Sequence, residues 1–139
     1  MVKGFHSLIR LHQWRVDEKR RALGILLGRA VELEGQAHGL ETEIQEEKLA
    51  AAAHPVEAGL FYGAYAAGAI QRRHDIATAR AEIEEEIAGA QDEVREEYSD
   101  LKSFELSQEA CDAREEAERL RDEQATLDEM GLERFRRRG

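Results

Sequence analysis

From Val16 onward the apolar residues recur at steps that alternate between three and four. One set runs Val16, Leu23, Ala30, Ala37, Ile44 and an interleaved set runs Leu26, Leu33, Leu40. Such spacing places both sets on one stripe of an α-helix, the a/d seam of a coiled coil, held for about four heptads. A second seam follows, with Ile76, Ile83, Ala90 interleaved with Ile87, Val94, Leu101, Phe104. Between the two lies AAAAHPVEAGLFYGAY, Ala50 to Tyr65, which carries Pro55, the single proline of the chain. Proline has no N–H to donate and its ring clashes with the preceding turn, so it cannot continue the helix that ends in Ala50–Ala53. It suits the first turn of a new helix, where Glu57 meets the positive end of the helix dipole. The pattern predicts a helix over about 5–53, a turn over about 54–60 and a second helix over about 61–135. The expected fold is all-α: one long antiparallel two-helix coiled-coil hairpin spanning 1–139.

A fold-back near residue 57 makes residue i face roughly residue 114 − i. Leu23 then meets Ala90, Leu26 meets Ile87, Val16 meets Tyr98 and Ile9 meets Phe104. Charge agrees with this register. Residues 1–30 hold seven Lys or Arg against two Asp or Glu, a balance of +5, and residues 82–123 hold five against seventeen, a balance of −12. Exposed ion pairs are individually worth about 0–1 kcal/mol, yet their sum favours the antiparallel arrangement.

In that register the first helix runs out opposite about residue 109, and the second overhangs at the C-terminus by about 28 residues, roughly 40 Å at 1.5 Å each. The apolar stripe continues there out of phase, as Ala110, Ala113, Ala117, Leu120, Gln124, Leu127. An uncovered stripe on a charged helix means either fraying or a partner in trans. The concentrated ending, Met130, Leu132 and Phe135 among Arg134, Arg136, Arg137 and Arg138, favours the partner. Glycines at 24, 28, 35 and 39 interrupt the first helix, each at about 1 kcal/mol relative to alanine. They read either as tolerated flexibility or as sites where another backbone comes close.

Composition narrows the function. Charged residues make up 36% of the 139, the net charge is −10 and aromatics are only 6%, which suits half-buried helical seams rather than a thick core. No apolar run approaches the roughly 18 residues of a spanning helix, and the charged, histidine-bearing start is unlike a signal peptide. A lone cysteine, Cys111, excludes an internal disulfide and fits a reducing cytoplasm; it reads as a small residue buried in a helix or at its edge. No phosphate-binding loop, CxxC, HExxH or dinucleotide fingerprint occurs. His6 and His12 lack the i, i+4 spacing that sets two ligands on one helical face, so no metal site is expected, nor any cofactor. The run Glu82 to Glu86 reads as a solvated face, since a catalytic carboxylate pair needs a concave site to separate its pKa values. No catalytic residue is expected. The FRRR ending could touch phosphates, but the surrounding chain is strongly acidic, and nucleic acid is not an expected partner.

Three stretches carry a resemblance: FHSLIRLHQWRVDEKRR at the start, AYAAGAIQRR after the turn and LDEMGLERFRRR at the end. With VDEKRR (Val16 to Arg21) and DEMG (Asp128 to Gly131) as its sharper points, the layout resembles the FliJ family of flagellar type III export proteins in its alpha-proteobacterial form. The resemblance implies a non-enzymatic stalk that binds and regulates a hexameric export ATPase. It also implies a link to the membrane export gate, contact with export chaperones or substrates, and a cytoplasmic place beside the inner membrane without insertion into it. Carried over to this chain, it implies an ATPase-facing set of Leu8, Ile9, Leu11 and Trp14 with Leu127, Met130, Leu132, Arg134 and Phe135. The family's gate contact uses an aromatic pair spaced Y-x-x-F near the hairpin turn. Tyr62 and Tyr65 have that spacing here, with Ala69 one turn on and Phe61 beside them. Where relatives carry tyrosines before the turn, this chain has Ile44-Gln45-Glu46-Glu47-Lys48-Leu49. The alternative function is a generic coiled-coil adaptor or secretion chaperone that binds export substrates.

Overall fold

The structure, a computed structural model, describes residues 4–138, apart from the side chains of Ala58 and Leu60. Two helices account for almost all of it: α1, His6–Ala53, and α2, Pro55–Arg138. No strand occurs among the described residues. The fold is the all-α two-helix hairpin expected from the stepping of apolar residues.

The turn is shorter than the sequence suggests. Only His54 separates the helices, its N–H donating to the Ala50 carbonyl at 3.3 Å. Pro55 takes the first position of α2, where its missing N–H costs nothing and its fixed φ is already helical. Residues 55–60, expected in the turn, are the opening of α2. Glu57 lies in that first turn, as expected.

The chain divides into two compact units, Asp17–Arg95 and Met1–Val16 with Glu96–Gly139. In the first, the arms of α1 and α2 pair antiparallel through an apolar seam. Leu33, Leu40 and Ile44 of α1 and Ala69 and Ile83 of α2 are buried. Leu23, Leu26, Ala30, Ala37, Ile76, Ile87, Ala90 and Val94 are half-buried. Leu40, Ile44 and Ala69 form the cluster nearest the turn, with Tyr65 and Ile76 packed against it. Ion pairs flank the seam: Lys19–Glu93 at 3.0 Å, Arg72–Glu43 at 2.8 Å and a two-bond Arg73–Glu41 pair at 2.7 and 2.9 Å. Arg73–Glu41 sits on the 114 − i register, Arg72–Glu43 one residue from it and Lys19–Glu93 two. Near the turn the polarity of the pairs is reversed, with the base on α2 and the acid on α1. A β-carbon placed on Gly24, Gly28, Gly35 or Gly39 would meet nothing within 4 Å. Their small size therefore serves no packing within the chain.

In the second unit the first turns of α1 lie against 96–111 of α2. Val16, Leu101 and Cys111 are buried, and so are two polar residues, His12 and Gln108. Val16 was expected beside Tyr98, but Tyr98 is exposed and the half-buried seam position is held by Glu97. After Phe104 the seam keeps its step through Gln108 to Cys111 and leaves Ala110 exposed, so the phase change expected at Ala110 does not occur within the paired region. Cys111 is the buried helical residue expected of it.

The start of α1 is held from outside itself. Its first turn has no acidic residue, and the Phe5 N–H donates to Gln108 Oε1 at 2.6 Å. The Gln108 amide nitrogen in turn donates to Asp112 Oδ1 at 2.8 Å. A side chain from α2 thus satisfies one of the orphan N–H groups that every helix start exposes. Gly4 makes the approach possible: its φ is +64°, and a β-carbon there would run into the Gln108 side chain. Phe5 and His12 both pack on the Phe104 ring, at centroid separations of 5.8 and 5.0 Å.

Candidate functional site

With the seams closed, three groups of exposed apolar residues stand at the helix ends, two in the terminal unit and one at the turn; Ile25, Leu27, Val31, Leu49, Ile70, Tyr98 and Leu106 are exposed outside them. In the terminal unit, α1 presents Leu8, Leu11 and Trp14, the last 59% exposed. At 100° per residue these three step round one flank of the helix, away from the seam. Ile9 is half-buried and belongs to the seam itself.

The same unit carries the bare part of α2. Every described residue from Asp112 to Arg138 is exposed. Leu120, Leu127 and Met130 line one side, and Leu132 and Phe135, the latter 78% exposed, turn toward the other. The helix holds its form through pairs along its own surface. Arg119 binds Glu116 and Glu123 at 2.6 and 2.5 Å, Gln124 binds Asp128 at 2.9 Å and Arg137 binds Glu133 at 3.1 Å. The Arg119 hydrogen bond and charge hold the Glu116 carboxyl below its ordinary range. Arg136, Arg137 and Arg138 occupy the last turn, where cations oppose the negative end of the dipole. Arg134, Arg136 and Arg138 therefore extend a basic, aromatic-bearing tip from an acidic helix.

In the other unit, the helices meet at the turn around a groove of about 360 Å³. Ala50, Ala51 and His54 form its α1 side, and Phe61, Tyr62 and Tyr65 its α2 side, with Glu47 and Glu57 at the rim. Phe61 is 76% exposed, and the Tyr62 and Tyr65 rings sit 6.3 Å apart. The four residues expected to act together here are not equivalent. Phe61 and Tyr62 face the groove, Tyr65 bridges groove and core, and Ala69 is buried in the Leu40–Ile44 cluster. The Tyr65 hydroxyl is buried without a hydrogen-bond partner. Burial, with the Glu43 carboxylate next in weight, raises its pKa above the ordinary 10.0.

Sequence reasoning did not anticipate His12 and Gln108 as seam members, because it followed apolar residues alone. Their signal was positional. His12 falls between Ile9 and Val16 at the three–four step, and Gln108 falls between Phe104 and Cys111 in the same way. Groove and tip offer no converging nucleophile and base. They are surfaces that can bind, with apolar area rimmed by charge.

A family model described as Flagellar FliJ protein matches residues 2–139. No curated protein and no solved structure matches the chain.

Proposed function

We propose that this chain, which belongs to the flagellar FliJ family and is thereby a component of the flagellar export apparatus, acts without catalysis by docking a hexameric export ATPase and the membrane export gate through separate surfaces. The observation that carries this reading is the run from Asp112 to Arg138. It is a helix of full regularity with no covering chain among the described residues, and it ends in exposed Met130, Leu132 and Phe135 among arginines. A stable apolar and basic face of this kind suits insertion into a protein ring.

The ATPase-facing set is Leu8, Leu11 and Trp14 of α1 with Leu127, Met130, Leu132, Arg134 and Phe135 of α2. Ile9 supports the α1 group from the seam. The gate-facing set is the turn groove, where Phe61 and Tyr62 make contact and Tyr65 and Ala69 fix the helices that hold them. Its acidic rim suits a partner segment with an apolar side chain and a neighbouring base. Aromatic rings suit such docking because they contribute large contact area for little lost rotamer freedom.

A protein without catalytic groups alters an ATPase by binding one state of the ring more tightly than the others. Charged sides keep the free chain dispersed while the apolar tip supplies the differential affinity. Export chaperones or substrates are further partners of the assembled complex. No helix among the described residues is long and apolar enough to cross a membrane.

Purified chain added to the cognate export ATPase tests this directly. Stimulated ATP hydrolysis and ring assembly are expected. Unchanged hydrolysis and assembly at saturating protein overturn the proposal, and substrate binding that survives masking of the tail would favour a chaperone instead.

A further inference from the structure

The pairing of α1 with α2 in the terminal unit brings together three side chains that no spacing on one helix would disclose. His12 of α1 meets Glu97 and Asp100 of α2, and one ligand atom from each lies within 4.8 Å of the other two. We propose that His12, Glu97 and Asp100 form a binding site for a divalent transition-metal ion of the Zn²⁺ type, clamping the first turns of α1 onto α2.

The geometry is favourable at the atoms that move least. His12 Nδ1 and Glu97 Oε2 are 3.2 Å apart. Zn–N and Zn–O bonds of about 2.0–2.2 Å put neighbouring ligand atoms of a tetrahedron roughly 3.3–3.5 Å apart, so this pair already spans one edge of the coordination shell. The imidazole is fixed: its side chain is only 9% exposed and its ring stacks on Phe104 with 27° between the planes. That fixation aims Nδ1 at the Glu97 carboxylate.

Asp100 completes the set. It lies three residues after Glu97, hence on the same face of α2, and it is exposed, so its carboxylate closes on the ion by side-chain rotation alone. The fourth position opens to water. One imidazole and two carboxylates suit Zn²⁺ and its first-row neighbours better than Mg²⁺, which prefers an all-oxygen octahedron.

A coiled-coil seam gains nothing from a buried imidazole unless the ring is partnered. The Glu97 contact partners it without a metal; an ion would turn that single contact into a cross-link between helices. Leu8, Leu11 and Trp14 flank His12 on α1, so the ion would order the segment that presents them. The site itself stands on its own geometry and not on what those residues dock.

Calorimetric titration of ZnCl₂, and separately of MgCl₂, into the chelator-treated full chain tests the proposal, alongside His12→Ala and Asp100→Asn. Asp100→Asn changes an exposed side chain and preserves the fold even if His12→Ala does not. One equivalent of Zn²⁺ should bind, raising Tm by about 2–4 °C at saturation, with Mg²⁺ giving no comparable heat. Asp100→Asn should weaken the site at least about tenfold. No Zn²⁺ binding by the unsubstituted chain, or equal binding by the Asp100→Asn variant, overturns it.

Discussion

The two units close their helix pairs by different means. In Asp17–Arg95 the seam is built from Leu33, Leu40, Ile44, Ala69 and Ile83, and polar residues stay on its flanks as ion pairs. In the terminal unit the buried positions include His12 and Gln108, and a half-buried Glu97 faces the histidine. An apolar seam draws its stability from burial and tolerates slippage by a heptad. A seam with hydrogen-bonded polar positions is satisfied only in one register, and a buried polar residue at a seam position is a well-attested device for specifying it. The turn-proximal seam therefore holds the helices together, and the terminal seam fixes where α1 begins against α2.

That contrast can be broken at its strongest point first. Leu40→Ala removes a buried side chain from the cluster with Ile44 and Ala69. It should cost about 2–5 kcal/mol and lower Tm measured by circular dichroism. An effect below about 1 kcal/mol would mean that the seam is not the main source of stability. In the terminal unit, Gln108→Ala leaves the Phe5 N–H without its acceptor. A loss of about 1–2 kcal/mol is expected, read as faster amide exchange confined to the first turn of α1. Faster exchange spread evenly along α1 would contradict the capping role.

How much of this the sequence disclosed follows from what periodicity can see. Val16, Leu33, Leu40, Ile44, Ile83 and Leu101 lie where the three–four stepping puts them, because an apolar residue at that spacing has only one face to occupy. The register was readable too, since the position of Pro55 and the charge balance of the arms both constrain it. His12 and Gln108 were not, because their burial depends on partners supplied by the other helix. The turn is shorter than the 54–60 that the pattern predicts, because a proline at the first helical position lets α2 start at once. The apolar and basic ending of α2 was legible as a concentrated cluster, but the inward turn of Tyr65 and Ala69 depends on helix phase near the turn.

Smaller effects sharpen the same comparison. Gly28→Ala and Gly35→Ala place methyl groups in open space on an α1 face that packs on nothing within the chain. Each should raise stability by about 0.5–1 kcal/mol in urea unfolding, and a loss would reveal a close backbone that the isolated chain lacks. Tyr65→Phe should leave Tm at neutral pH almost unchanged, because the hydroxyl it removes has no hydrogen-bond partner. Its raised pKa gives a sign: the neutral phenol is favoured in the fold, so its contribution is complete below about pH 10 and is lost as pH rises through the folded value. The Phe variant should be less sensitive to that alkaline range.

The most direct measurement is binding of the cognate export ATPase, and separately of the soluble gate domain, to two variants: the chain truncated after Glu129, and Phe61→Ala with Tyr62→Ala. The truncated chain should keep its helical circular dichroism, lose ATPase binding and retain the gate, while the double variant should do the reverse. Undiminished ATPase binding by the truncated chain would contradict the assignment of the α2 tip as the ATPase-docking surface.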